Sequence, residues 1–410
     1  LQIVFGLLLL SFYHPFFIIY GLLLLLLIYI VFKFTVQRGL DTSLEESKIK
    51  YKVAHWVQEI ARSIVSFKLS GKTSHALDKN DMLVEDYLEA RENHFKVLVL
   101  QFIQMIGFKV LVTAGLLLIG GLLVLEQQMN IGQFVAAEII ILLVISSVEK
   151  LILGLETFYD LLTSLEKMGQ VVDKKLEPRD GETPFKDNEG LTVELEDIVY
   201  KVPGLEKKII DHLSLTVRPD TRLLIQGKSG SGRSTLLRMM AGILEPDSGK
   251  IYVNNVALQG VKLSQYRSYL GHSLKEEYPF EGTLLDNITF GNKDIPIEDV
   301  YWALEKVSLT QFVKEQPQGL KTILYPEGKK IPDFISRKIV LARSIVTRPK
   351  LMILKDPLEQ YDEEGTERMM DFLSDPANGW ALVVVSENPK WQSRCNQIIR
   401  MDKGKLTNVK

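Results

Sequence analysis

The residues best placed to do chemistry lie between Leu223 and Leu237, in the run LLIQGKSGSGRSTLL. Leu223, Leu224 and Ile225 favour a strand, Gly227, Gly230 and Gly232 break the middle, and an apolar helix is expected from Ser234. Strand, glycine-rich turn and helix N-terminus form an anion cradle. Small residues let backbone N–H groups approach phosphate oxygens, and the helix dipole favours the negative charge. The candidate phosphate-binding residues are Gly227, Lys228, Ser229, Gly230, Ser231, Gly232, Arg233, Ser234 and Thr235. One position departs from the P-loop pattern: the lysine that should reach the β- and γ-phosphates is Arg233. Guanidinium binds phosphate well, but its planar fork is longer than an ammonium and cannot act as a compact point charge inside the loop.

The elements around this loop must hold it. From Leu191 onward, short β-rich runs alternate with helical stretches: LTVELEDIVY, RLLIQ, KIYVNNV, KLMILKD, ALVVVSE and QIIRMD. That alternation predicts an α/β domain over residues 191–410 with a largely parallel sheet. Residues 166–190 are polar and rich in Pro, Gly and charge, the composition of a linker.

The first third of the chain has a different character. Residues 1–10, 16–32, 110–125 and 131–148 are apolar on all faces, which soluble core helices rarely are. The second can span a bilayer with a small tilt, and the last two are further candidate spans with approximate bounds; the first is too short and reads as the end of a cut transmembrane helix. An apolar run beginning at Leu1 without a basic leader is the pattern of a truncation and not of a signal peptide. Lys33, Arg38, Lys48, Lys50 and Lys52 follow the second run, whereas SFYHP and EQQMN carry no Lys or Arg. The positive-inside rule then places residues 33–100 and the C-terminal domain in the cytoplasm. Residues 41–100 alternate charge and apolar side chains at helical spacing and read as helical arms outside the bilayer, interrupted at Ser70-Gly71. A net charge of −2 over 410 residues argues against nucleic acid as the main partner. The single cysteine, Cys395, excludes an internal disulfide and reads as a core thiol.

Within the spans, Lys109, Glu138 and Glu149 interrupt apolar runs. At 1.5 Å per residue, Lys109 and Glu149 lie roughly 24 and 27 Å in from the EQQMN loop, a similar depth at which they are able to pair. Snorkelling to the interface explains Lys109 equally well. Glu138, about 10 Å in, suits a cargo pathway or a packing role.

Apolar spans followed by a P-loop α/β domain resemble an ABC exporter half-transporter, and the resemblance covers essentially the whole chain. It implies an all-α transmembrane bundle, here incomplete, over residues 1–165, and an ABC nucleotide-binding domain over 191–410. The segments look like the end of the third transmembrane helix and the fourth to sixth, and residues 61–75 resemble the intracellular coupling segment. The membrane half, with FYHPFF, TSLEESKIKY and GQFVAAEII, looks most similar to bacterial exporters of toxins and peptides. The family's motifs map onto altered residues. The Q-loop glutamine position is Lys275, and the LSGGQ signature falls on Ile331, Pro332, Asp333, Phe334 and Ile335. The Walker B aspartate and glutamate fall on Lys355 and Asp356, and the switch histidine on Glu387. The adenine-stacking aromatic falls on Val202, with Tyr200 two residues away, while the D-loop aspartate is kept as Asp362.

The resemblance implies ATP sandwiched between the P-loop of one subunit and the signature of another, and each change can be weighed against that arrangement. Lys355 reverses the sign of the group that holds Mg²⁺. A divalent ion at about 4 Å from an ammonium is repelled by roughly 8 kcal/mol at an effective dielectric of about 20. Either Lys355 stands in for the metal against a phosphate, or the site has decayed and Lys355 turns to solvent or pairs with Asp356; decay is the simpler expectation. Asp356 is a marginal general base, one methylene short of glutamate. Glu387 at neutral pH is an acceptor and repels a γ-phosphate. Pro332 has no N–H, so IPDFI cannot present the donor cluster of a serine–glycine–glycine turn.

These changes together predict a pseudo-ATPase: ATP bound weakly or as a vestige, Mg²⁺ doubtful, no residue set assigned as a metal site. The expected setting is the inner membrane, multi-pass, in a homodimer or a heterodimer with another half-transporter, with a periplasmic adaptor as a further partner. The competing expectation is an active ATP-driven exporter of peptides, toxins or other hydrophobic cargo that tolerates unusual motifs.

Overall fold

A computed structural model describes residues 2–71, 74–185, 189–204, 206–359 and 361–409. It divides into two compact units, Leu1–Lys175 and Leu176–Lys410.

The first unit is all helix: α1 (Gln2–Ser11), α2 (Phe16–Arg62), α3 (Ile64–Leu69), α4 (Ser74–Leu125) and α5 (Ile131–Val172). Pro15 ends the first run and caps α2, where its missing N–H costs nothing. Asn130 starts α5 through a capping box with Gln133, the side chains and backbone N–H groups bonding reciprocally. α2, α4 and α5 have 47, 52 and 42 residues, or about 60–80 Å at 1.5 Å per residue. The apolar window of each is long enough to cross a bilayer, and the polar remainder of each runs on beyond it. Only one stripe of each span is buried: Phe17, Tyr20, Gly21 and Leu24 on α2; Met105, Phe108, Val112 and Leu116 on α4; Ile141, Val144, Ile145 and Val148 on α5. Apolar side chains such as Leu22, Leu118 and Leu143 remain on the outside, as a lipid-facing surface requires.

Polar groups tie the three long helices together. The Tyr20 hydroxyl donates to the Val112 carbonyl at 2.5 Å, and Gln101 donates to the fully buried Tyr159 hydroxyl at 2.8 Å. Gly39 of α2 lies so close to the Tyr159 ring that a Cβ would overlap it. Lys109 of α4 and Glu149 of α5 form an ion pair at 2.6 Å, so the two intramembrane charges meet. Glu138 is half-buried and makes no ion pair or side-chain hydrogen bond among the described residues. The 61–75 segment contains the end of α2 and all of α3; its Lys72 and Thr73 lie outside the described residues.

The described residues of the second unit form two larger sheets and a two-stranded ribbon. One is antiparallel, β2-β1-β4-β5, from β1 (Val193–Lys201), β2 (Lys208–Val217), β4 (Ser248–Val253) and β5 (Val256–Ala257). The other runs β12-β11-β3-β10-β9-β6, from β3 (Arg222–Gly227), β6 (Leu270–Ser273), β9 (Leu351–Lys355), β10 (Ala381–Val385), β11 (Gln397–Asp402) and β12 (Lys405–Val409). It is parallel except where β12 returns along β11. β7 (Gly282–Thr283) and β8 (Ile323–Leu324) form a small ribbon. The helices are α6 (Arg233–Met240), α7 (Leu263–Ser268), α8 (Leu284–Thr289), α9 (Ile297–Lys306), α10 (Thr310–Glu315), α11 (Asp333–Ile345) and α12 (Glu363–Ser374). Both faces of the parallel sheet are covered. Leu223, Ile225, Ile353 and Val383 enter one core, and Leu224, Met352, Leu382 and Val384 the other. This is why these strands read as unbroken apolar runs.

Two sequence expectations change here. LTVELEDIVY and KIYVNNV become β1 and β4 of the antiparallel sheet and are not part of the parallel one. The 166–190 linker is shorter than its composition implied. α5 continues to Val172, and the chain from Leu176 already belongs to the second unit. Arg267 holds Glu177 with two hydrogen bonds, Glu182 pairs its backbone with Gly260 and Lys262, and Phe185 stacks on Tyr266. Residues 186–188 of that segment lie outside the described residues.

Candidate functional site

The loop after β3 has the predicted form. Gly227, Gly230 and Gly232 take φ of 149°, 80° and 99°, the left-handed half of the map that side chains avoid. At Gly227 a Cβ would run into the Met401 carbonyl, so the loop passes the neighbouring strand too closely for any other residue. Helix α6 begins at Arg233, one residue before the expected start, with Gly232 as its cap. Lys228, Ser229 and Gly230 are exposed at the loop tip, whereas Ser231 is buried, and its hydroxyl has no hydrogen-bond partner among the described residues. Arg233, Ser234 and Thr235 occupy the first turn of α6, half-buried.

Residues far apart in sequence converge on this turn. β9 and β10 are parallel neighbours, and β10 also pairs with β3, so the ends of three adjacent strands open onto one place. Lys355, the last residue of β9, donates from Nζ to the Ser234 hydroxyl at 2.7 Å across 121 residues. Glu387, just beyond β10, accepts from the Gly227 N–H at 3.3 Å and forms a charge-assisted hydrogen bond with Arg233. A carboxylate of the chain itself therefore lies on the P-loop, and an ammonium lies on its serine. Lys355 makes its hydrogen bond to Ser234 and is not turned to solvent or to Asp356, unlike the two arrangements expected of a decayed site.

Asp356 follows Lys355 with φ of 45°, its amide donating to the Val385 carbonyl at 2.9 Å. Burial holds its acid above the ordinary aspartate range, and the neighbouring Glu359 adds to this, while Arg233 and Lys355 oppose it. A carboxyl so placed keeps its proton more readily than a free aspartate. Lys355, Asp356 and the Q-loop position Lys275 line one small cavity of about 60 Å³ together with Arg337. The Lys275 carbonyl accepts from Arg337 at 3.0 Å, so that segment is held by its backbone.

The remaining motif positions lie elsewhere in the unit. Pro332 caps α11, with Asp333 as its first residue; Phe334 is exposed, Ile335 is buried in the core, and Ile331 packs partly against it. Val202 stands exposed after β1 and has no ring, while Tyr200 is partly buried against the core. Asp362 caps α12, accepting from the Gly365 N–H at 2.9 Å. Sequence reasoning assigned Glu387 to a motif position but missed its bonds to Gly227 and Arg233; opposite charge at two motif positions was the available signal.

The fit of the usual ligand can be judged on these contacts. The backbone cradle fits phosphate: its glycine angles are intact, and it already accepts a carboxylate. A divalent cation does not fit, because the hydroxyl that would face it is bonded to an ammonium.

Residues 210–359 match the family model described as ABC transporter. The chain is 25% identical over 280 residues to the ATP-dependent lipid A-core flippase of Dechloromonas aromatica, covering 68% of this chain and 48% of the relative. It is 25% identical over 304 residues to the alpha-hemolysin translocation ATP-binding protein HlyB of Escherichia coli O157:H7, covering 74% and 43%. The chain thus spans less than half the length of these relatives. A solved structure of a bacterial Atm1-family ABC exporter with ATP bound superimposes with a TM-score of 0.83 at 18% identity, over 95% of this chain and 68% of that one. Residues 210–359 thus resemble an ABC transporter cassette, and the chain has an exporter-type fold, with three helices long and apolar enough to cross a membrane ahead of the α/β unit.

Proposed function

We propose that the chain is an exporter subunit whose cassette does not itself hydrolyse ATP and acts as a structural or regulatory half of a dimer. The observation that carries this reading is the pair of contacts at the P-loop, Lys355 on Ser234 and Glu387 on Gly227 and Arg233. Hydrolysis needs a base in reach of the attacking water and donors aimed at the charge that develops. Asp356 is short and its proton is held by burial. Glu387 supplies a negative charge where a donor is wanted, and Pro332 removes an N–H from the signature turn. The partner is a second half-transporter, the same chain or another, and a periplasmic adaptor is compatible with the toxin-secretion relatives. Any ATP that binds does so weakly.

The test is phosphate release by the purified chain in lipid nanodiscs. Turnover is expected at background. Mg²⁺-dependent release that Arg233→Ala abolishes would falsify the reading. It would favour the second one: an active exporter of peptides, toxins or other hydrophobic cargo. The names of the relatives, a hemolysin translocation protein and a lipid A-core flippase, support that alternative.

A further inference from the structure

The misfit between this site and a divalent cation carries an inference of its own. In an intact P-loop the serine hydroxyl faces a metal ion. Here the Ser234 hydroxyl already faces a positive charge, the Lys355 ammonium at 2.7 Å. The cradle also already holds an anion: the Glu387 carboxylate accepts from Gly227 and pairs with Arg233. The three charges reproduce, from side chains alone, the alternation of loop, anion and cation that a metal-bound phosphate would create. Glu387 is mostly exposed, with 62% of its side chain accessible, whereas Arg233 is held at 16%. The carboxylate is therefore the part free to leave. Its departure would free the Gly227 N–H and the Arg233 guanidinium beside the Ser234–Lys355 contact, with Lys228 exposed at the loop tip.

We propose that this P-loop takes the phosphate chain of a nucleoside triphosphate without a divalent cation, Lys355 standing in the metal's place and Glu387 acting as an internal competitor that the phosphate displaces. The inference rests on the reading of the cassette as non-hydrolysing. Two consequences separate it from ordinary binding by this fold. Added Mg²⁺ does not strengthen binding, since the ion and Lys355 repel one another. Recognition lies in the phosphates, because the expected stacking position is Val202, which has no ring, and Tyr200 packs partly against the core.

The experiment titrates the full chain in nanodiscs with a fluorescent ATP analogue, once in chelator and once in Mg²⁺. Circular dichroism confirms that each variant is folded. Saturable binding in chelator is expected, with Mg²⁺ leaving the affinity equal or weaker. Lys355→Met, and the more conservative Lys355→Gln should the first not fold, should each weaken binding in chelator by about tenfold, the scale of one charge-assisted contact. Glu387→Gln should strengthen it several-fold, and Lys355→Asp should create a Mg²⁺ requirement. Inorganic tripolyphosphate should displace the analogue. Binding that requires Mg²⁺ in the wild type overturns the proposal. So does Lys355→Gln with unchanged affinity in chelator, or no saturable binding in both the wild type and Glu387→Gln. Failure of tripolyphosphate to compete overturns the assignment to the phosphate chain. None of these outcomes depends on turnover, so the non-hydrolysing reading stands or falls separately.

Discussion

Asp356 shows how burial and backbone act together on one side chain. Its φ of 45° is a conformation that few non-glycine residues adopt, asparagine and aspartate most readily. Burial, followed by Glu359, raises its folded-state pKa above the unfolded value. Stability linked to this group is full below the ordinary aspartate pKa of about 4 and is lost as pH rises through the folded pKa. Asp356→Asn removes the charge and keeps the tolerance for positive φ, so it should raise the thermal midpoint at neutral pH. The gain should shrink as pH falls through about 4 and vanish near about pH 3, where the wild-type acid is protonated in both states. Thermal unfolding at the two pH values checks this, and an equal shift at both would assign the effect to the backbone alone. Cys395 is the converse case. Burial pushes its thiol up to about 12, so alkylation should be slow at about pH 8, far slower than for a free thiol with a pKa of about 8.5. Rapid labelling of the native protein would show that the residue is open. The P-loop residues were legible because their spacing is local. The bonds of Lys355 and Glu387 were not, since only the β3–β10–β9 order brings them to the loop.

At the scale of elements, the ion pair between α4 and α5 is the contact most open to test. Lys109 and Glu149 pair at 2.6 Å at the inner ends of the apolar stretches of α4 and α5, each side chain about one-third exposed. Lys109→Met leaves a carboxylate without its partner and should destabilise the helical unit by roughly 1–3 kcal/mol, part of the full buried-pair cost being relieved by exposure. Adding Glu149→Gln should recover much of that loss, and reversible unfolding in detergent measures both. A strictly additive double mutant would mean the two charges do not interact. Depth counted at 1.5 Å per residue placed the two charges at a similar level because helices are regular, but it left snorkelling of Lys109 equally open. The sheets were harder to read. A strand's sequence does not say whether its neighbour runs parallel, and the decisive clue is the connection. β1 and β2 are joined by six residues, 202–207, too few for a crossover. The β2 run slips its alternation once, at Asp211 and the positive-φ His212. The linker was overdrawn because polar composition marks exposure, and Glu177 and Glu182 are polar residues that dock.

For the whole molecule, the proposed non-hydrolysing reading leaves open whether the altered motif positions are independent lesions or parts of one state. Arg233 and Glu387 satisfy each other, and Lys355 satisfies Ser234, so a change at one leaves another unpaired. Groups that act as a unit are strongly non-additive when altered singly. Restoring one motif should therefore give no turnover. Lys355→Asp alone removes the ammonium but leaves Glu387 on the loop. Glu387→His alone frees Arg233 but leaves Lys355 opposing the metal. The signature is a separate requirement, because Pro332 at the cap of α11 lacks an N–H and Ile335 is committed to the core. Mg²⁺-dependent phosphate release should appear only when Arg233→Lys, Lys275→Gln, Lys355→Asp, Asp356→Glu and Glu387→His are combined with Leu-Ser-Gly-Gly-Gln at residues 331–335. Release is measured for the wild type, each single repair and the full set, with folding checked by thermal unfolding. Turnover from Lys355→Asp alone would show that one lesion silences the cassette and that the other changes are tolerated variants. A folded full set that stays silent would place the loss in the assembly of two cassettes and not in these residues.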